Sequence, residues 1–342
     1  MIRVEKGDGP LILCLPRAGT EIHPSILPRL SATGRLQTDV SWRLETVLDL
    51  ARELDATVVR STVSHYVVDP DQDPSPFRAT RATDTALCPV VTLDNKPIYK
   101  PDEQPGPTEI EQRLILFHSP FHDALCREIE RLSARHGKLI LLDCQSARSR
   151  IKGFCDRGLP IISLGTGGGN SCDPEIKSLL AGVLAETGGY SVGVDDVFKG
   201  GFITRSYGRP EAGLHALTMV VAQRAYLRHE TPPFEPDKLR LGRLKTALRD
   251  ALLRLGDWAA PGYTDSRQNA LAAVTGGQDV TGLSAAARFR PPVHKSLSES
   301  LPNPVARPVR VEDLVTHPRP GLSKPGSITD TGLLPSHVLV AE

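Results

Sequence analysis

Four stretches of the chain carry side chains that could bind or react with a small molecule. LPRAG (15–19) ends an apolar run with a guanidinium, Arg17. DCQS (143–146) ends a second apolar run and is followed by Arg148 and Arg150. Open α/β sheets place ligand residues at such strand ends. FKGGFITRSYG (198–208) is a glycine-broken segment closing on Arg205, Tyr207 and Gly208. GLHALTMVVAQRAYL (213–227) reads as a helix that brings His215 and Val220 near the sheet. A guanidinium holds a carboxylate through two parallel hydrogen bonds, so Arg17 and Arg205 together suit an anion pocket. Arg17 could instead close on Asp143 or Asp39 as an ion pair, and both readings stand at this point.

Other groups point to other chemistry. Cys144, His65 and His215 could form a thiol–imidazole pair. Alternation along a strand turns Cys144 away from Asp143 and Gln145, which favours a buried inert thiol. LGTGGGNSCD precedes a helix but lacks the GK[ST] ending of a phosphate loop. Its glycines are expected to let backbone amides approach a small acidic ligand. His118 and His122 stand four apart on a helical stretch, a metal-binding spacing. Pro120 between them breaks that geometry, so they read as surface or packing residues. The six cysteines form no CxxC pair and read as reduced, buried thiols.

The elements that must position these groups alternate. LILCLP (11–16), TVVRS (57–61), LILLDC (139–144) and PIISLGT (160–166) are apolar runs of strand length. The N-terminal stretch also reads as a strand, too short for a signal segment. Helical spacing covers Trp42–Leu54, Glu109–His136 with an interruption at Pro120, and residues 174–187, 214–228 and 236–256. Alternation of this kind predicts an α/β fold, a three-layer mixed or parallel sheet flanked by helices. Residues 1–257 form the expected domain. After Trp258 the periodicity fades, and residues 259–342 hold ten of the 29 prolines. Residues 258–342 are therefore expected to be a disordered tail, with short pieces able to dock on a protein partner.

Bulk composition narrows the partners. Lys+Arg 41 against Asp+Glu 40 leaves a net charge of +1, and aromatics are 5% of 342 residues. No basic field or stacking platform for nucleic acid is expected. No apolar run reaches membrane-spanning length. A cytoplasmic protein is the expectation.

The order and spacing of these motifs resemble the N-formylglutamate amidohydrolase family. The resemblance extends to LCP (87–89), KPIYKP (96–101), SPFHDAL (119–125) and LGTGGGNSCDP (164–174). It implies a zinc-carboxypeptidase-like fold, of the phosphorylase/hydrolase-like kind. It also implies zinc-dependent cleavage of N-formyl-L-glutamate to L-glutamate and formate in histidine degradation. The family's metal ligands fall on Arg17, Ser41 and Gln145, and its general base falls on Val220. The family's Asn-Arg after the YVVD strand becomes Asp71-Gln72, and a histidine becomes Ser206. Arginine has no lone pair to donate, and an amide or hydroxyl oxygen is a poor zinc donor. No metal cofactor is therefore expected. A bound metal lowers the pKa of its water, and a carboxylate base takes that water's proton. Neither is supplied at these positions. The sequence leaves two readings, an amide hydrolase or an inactive homologue. The homologue would bind a small acidic amino-acid derivative or carboxylate, or a protein partner, through Arg17, Gln145, Arg148, Arg205, Tyr207 and His215.

Overall fold

The computed structural model describes residues 1–75 and 86–260. The expected tail lies outside the described residues from 261 onward. Seven strands form one mixed sheet: β1 (Ile2–Glu5), β2 (Leu11–Leu15), β3 (Thr57–Ser61), β4 (Leu139–Ala147), β5 (Ile162–Gly165), β6 (Val192–Val194) and β7 (Leu214–Ala222). Their order is β1-β3-β2-β4-β7-β5-β6. The central four, β3-β2-β4-β7, are parallel to one another. β1 joins β3 antiparallel, and β5 joins β7 antiparallel. This is the mixed sheet the alternation predicts.

Helices cover both faces. α5 (Pro174–Gly188) and α7 (Lys238–Ala259) lie on one side, together with the short α2 (Leu44–Val47). There Leu13, Leu142, Leu217 and Met219 of the sheet meet Ile176, Leu180, Leu248 and Leu252. α4 (Ser119–Ser133) and α6 (Phe202–Tyr207) lie on the other, where Ile12, Leu141 and Ala216 meet Phe121, Leu125 and Ile129. Each such leucine, isoleucine, methionine or phenylalanine, fully withdrawn from water, stabilises the fold by ~1.5–3 kcal/mol. Asp173 caps α5 by accepting from the Glu175 amide, and Asp237 caps α7 by accepting from those of Leu239 and Arg240. α1 (Ala32–Leu36) and α3 (Pro107–Arg113) complete the helices.

Three expectations are corrected. Residues 214–222 are a strand, not a helix. β7 lies between β4 and β5, so both of its faces are buried and its sequence shows no alternation to distinguish it from a buried helix. Trp42–Leu54 is broken into α2 and a 3₁₀ turn, Asp49–Arg52, entered through Arg43 at φ 61°. The irregularity near Pro120 is a π turn at Leu114–His118, and the helix continues through the proline. The wider turn accommodates a residue that has no amide hydrogen to give. α7 also runs three residues past its expected end. It buries Trp258, whose indole donates to Glu175 at 2.9 Å.

Candidate functional site

β2 and β4 end side by side, and their C-terminal residues bring Arg17 and Gln145 together. The Arg17 guanidinium takes Asp69 with two parallel hydrogen bonds, Nε to Oδ1 at 3.1 Å and Nη2 to Oδ2 at 2.7 Å. Its third bond runs from Nη1 to Gln145 Oε1 at 2.9 Å. The Gln145 amide nitrogen then donates to two carboxyls, Asp71 Oδ2 at 2.9 Å and Asp143 Oδ2 at 2.8 Å. Asp143 Oδ2 also accepts from Thr218 at 3.0 Å, while its Oδ1 has no partner among the described residues. Arg17 is thus an ion-paired residue, and its partner is neither Asp143 nor Asp39 but Asp69. Asp39 instead accepts from Arg148 and Tyr66.

Burial and charge set the protonation of this cluster. Burial opposes the charge on Arg17, but Asp69 and Asp71 more than offset it, so the guanidinium holds its proton more tightly than usual. Burial likewise opposes ionisation of Asp69, and Arg17 reverses this, holding that carboxyl below its ordinary range. Asp71 is raised by burial, against the pull of Arg17. Asp143 is raised well above the carboxylate range, first by burial and then by the neighbouring Asp71. Two carboxyls sharing one amide donor favour a state in which Asp143 keeps its proton.

Asp71 reaches this position through α6. Its Oδ1 accepts from the Ile203 amide at 2.9 Å, and a Cβ on Gly201 would stand 1.9 Å from its Oδ2. Only glycine allows that approach. Above the cluster lies a pocket of about 380 Å³. Arg17, Asp71, Gln145 and Thr218 form its floor, and Lys199 and Arg205 stand at its rim. Leu93, Phe154 and Phe198 form an apolar wall. Arg205 donates to the Gly200 carbonyl and is otherwise exposed.

The other sequence-derived residues lie elsewhere. Arg148 is held by Asp39 at 2.8 Å and Asp94 at 3.1 Å and does not line the pocket. Tyr207 is buried under α4, its hydroxyl on His122 Nδ1 at 2.8 Å. His215 faces the α5–α7 side, where its Nδ1 accepts from the Asp173 amide at 3.1 Å and its ring meets Trp258 edge-on. Burial lowers its pKa to about 4. Because residues 214–222 are a strand, His215 and Val220 leave opposite faces of the sheet, so the histidine cannot line the pocket. Ser41 is fully buried, bonded through its hydroxyl to the backbone of Ser146 at 2.9 and 3.3 Å. Val220 sits beside Gln145 in register, in an apolar cluster with Ala147, Ile151 and Leu159.

Loop 166–171 commits most of its amides within the protein, against expectation. Gly167 donates to the Lys199 carbonyl, and the amides of Gly169, Asn170 and Ser171 all turn onto Thr166. Gly167, Gly168 and Gly169 have φ of 61°, 72° and 87°, a path that serves the turn itself. Cys144 is buried among the α5–α7 core residues, and burial raises its thiol pKa well above normal. His122 Nε2 bonds the Pro70 carbonyl at 2.8 Å and His118 Nε2 that of Gln72 at 3.0 Å, so both are packing residues. Asp69, the central anion of the cluster, went unmarked in the sequence. Only its place at the end of YVVD, next to Asp71, could have indicated it.

Zinc requires imidazole, thiolate or carboxylate lone pairs arranged about one point. At the three positions that the resemblance assigns to metal ligands stand a guanidinium engaged with a carboxylate, an amide engaged on both of its ends, and a hydroxyl tied to backbone. This donor set does not fit zinc. Among the described residues no other group of His, Cys, Asp and Glu is arranged to hold a metal ion. Nor is any described helix long and apolar enough to cross a membrane.

Comparison with known proteins places these features in a class. A family model described as N-formylglutamate amidohydrolase matches residues 9–227. The chain is 33% identical over 266 residues to an N-formylglutamate deformylase of Pseudomonas aeruginosa, covering 77% of this chain and 98% of that protein. It is 34% identical over 266 residues to one from Pseudomonas putida, with the same coverage of 77% and 98%. The fold matches the crystal structure of N-formylglutamate amidohydrolase from Ralstonia eutropha with a TM-score of 0.64 at 22% identity, over 77% of this chain and 99% of that one. A protein from Agrobacterium tumefaciens matches with a TM-score of 0.56 at 18% identity, over 74% and 95% of the two chains. The chain belongs to the N-formylglutamate amidohydrolase family.

Proposed function

We propose that this chain uses the family pocket to bind a small acidic amino-acid derivative, N-acylated or free, without the metal-assisted hydrolysis implied for the family. The observation that supports this most directly is the paired guanidinium of Arg17, bonded to Asp69 and Gln145 where metal ligands fall. A cation fixed there repels a dication and supplies no lone pair. No carboxylate stands at Val220 to take a proton from water. The ligand's carboxylate meets Arg205 and Lys199 at the rim, and its apolar stem lies along Phe154 and Phe198. Deformylase activity is the second reading, favoured by near full-length similarity to two deformylases.

Metal analysis of the purified protein, with formate release from N-formyl-L-glutamate, separates the two. The expected result is sub-stoichiometric zinc, no formate, and a thermal shift with acidic amino acids that Arg205→Ala removes. Stoichiometric zinc with formate release overturns the proposal. So does the absence of a shift with any carboxylate.

A further inference from the structure

A second cleft lies at the edge of the sheet, with no lining residue in common with the pocket above Asp71. It has a volume of about 210 Å³. Its charged walls are Arg3, Arg43, Arg60, Glu21 and Glu45. Arg3 and Arg60 are directly opposite in the antiparallel register of β1 and β3, so their side chains leave the same face. Like charges in that position repel and weaken the pairing. Among the described residues, none of the three arginine side chains and not that of Glu45 makes a hydrogen bond or ion pair. Glu21 is engaged, accepting from Thr62 Oγ1 at 2.7 Å. Arg43 is presented from a left-handed backbone at φ 61°, a conformation that residues with a Cβ adopt at a cost.

The floor of the cleft is closely packed. A Cβ on Gly19 would stand 2.3 Å from the Val63 carbonyl oxygen, and the Glu21 amide bonds the Thr62 carbonyl at 2.9 Å. Three guanidiniums that line one cleft and bond no described protein group suit anionic oxygens, and a ligand with more than one carboxylate engages more of them. Glu45, only partly exposed, suits an ammonium group. Three positive and two negative walls leave one positive charge in excess. An acidic α-amino acid, with two carboxylates, one ammonium and a net charge of −1, complements that arrangement.

We propose that this cleft is a second ligand site, for a zwitterionic acidic amino acid. Arg3, Arg43 and Arg60 take its carboxylates and Glu45 its ammonium group. The site is independent of the reading given to the larger pocket. Ala18 and Gly19 in its wall directly follow Arg17, and the Ser41 amide beside it bonds the Arg17 carbonyl at 2.9 Å. An occupant would therefore touch the loop that carries Arg17.

Calorimetric titration with L-glutamate tests this on the wild-type protein, Arg3→Gln/Arg60→Gln, Glu45→Gln and Arg205→Gln. The wild type is expected to bind, the double variant to lose at least about tenfold in affinity at this site, and Arg205→Gln to leave it intact. Glutarate, the same dicarboxylate without the ammonium, is expected to bind more weakly than L-glutamate. Glu45→Gln erases that preference. The double variant without ligand should melt no lower than the wild type, since it removes a repulsion. If it fails to fold, the Glu45→Gln comparison decides. Binding abolished by Arg205→Gln alone overturns the inference, as does no binding, equal binding of glutarate, or inorganic phosphate bound as tightly at the same residues. Failure of the larger-pocket reading is visible separately, as L-glutamate binding that Arg205→Gln leaves whole and the double variant abolishes.

Discussion

Replacing Arg17 by methionine keeps much of the side chain's length and removes its charge. The guanidinium makes two bonds to Asp69 and one to Gln145, and the Asp69 side chain is 1% exposed. Removing one partner of a buried ion pair costs ~3–5 kcal/mol, because the other charge is left without compensation. Asp69 keeps one donor, the Asp71 amide at 3.0 Å, which argues for the lower end, about 3 kcal/mol. For a domain of this size that corresponds to a loss of ~6–12 °C in Tm. The loss depends on pH. In the wild type Arg17 holds Asp69 below its ordinary pKa, so its stabilisation is present above ~4 and lost as pH falls through the folded value. In the variant burial, the largest influence, is opposed only by the Asp71 amide and His65, and the folded carboxyl is expected to rise above the unfolded one. The folded variant then binds a proton that the unfolded chain does not, and its stability increases as pH falls toward ~4. The gap between variant and wild type therefore narrows on acidification. Urea unfolding at about pH 7 and about pH 5 measures it, and Arg17→Met/Asp69→Asn should recover much of the loss at neutral pH. A deficit under ~1 kcal/mol, or one equal at both pH values, refutes the buried pair as the organising contact of this site.

Asp143 titrates in the opposite sense, because burial and Asp71 raise its pKa. Its contribution to stability is full below the unfolded value of ~3.9 and is lost as pH rises through the folded one. Asp143→Asn should therefore flatten the urea midpoint against pH and gain on the wild type toward neutrality; parallel profiles would count against the raised pKa. Val220→Glu places a carboxylate among Ala147, Ile151 and Leu159, and should cost at least ~2 kcal/mol at neutral pH, less on acidification. No measurable loss of stability would show that the position opens to water. All six cysteines are buried, so iodoacetamide should leave Cys144 unmodified in the native protein and label all six in urea. Native labelling of Cys144 that abolishes ligand binding would restore a thiol at the site.

The sheet was legible where an apolar run was short and bounded by turn residues, as in β2, β3 and β5. β7 was not, because LHALTMVVA is buried on both faces and composed partly of strong helix formers. That single misreading carried others, since the faces on which His215 and Val220 project follow from a period of two instead of 3.6. Arg17 and Gln145 were found from their positions at strand ends, and the pocket floor contains both. Asp69 was missed because its pairing spans 52 residues of chain, and no local spacing encodes it. Arg148 reads as a pocket residue because it follows DCQS at a strand end. The structure shows why that position alone misleads: Asp39 and Asp94 draw its guanidinium aside.

The substitutions at the strand ends are coherent when the cluster is treated as a whole. Asp69, Asp71 and Asp143 are three carboxyls at most 4% exposed, and a fold that buries them must supply positive charge or protons. Imidazoles at positions 17 and 145 would present lone pairs outward to a cation. Arginine and glutamine present N–H groups instead, and all of the bonds they make to Asp69, Asp71 and Asp143 run toward carboxyl oxygen. In the proposed reading, one guanidinium and the raised pKa of Asp143 do what the charge of a metal would do for these carboxyls. A single histidine at 17 or 145 therefore leaves the carboxyls without their donors before it creates a metal site. Arg17→His/Gln145→His should gain zinc only together with a carboxylate at 41, the third position the resemblance assigns to a ligand, and each single change should lower stability with no gain of metal. Elemental analysis and melting of the four proteins test this, and a single histidine variant that binds zinc at wild-type stability would refute it.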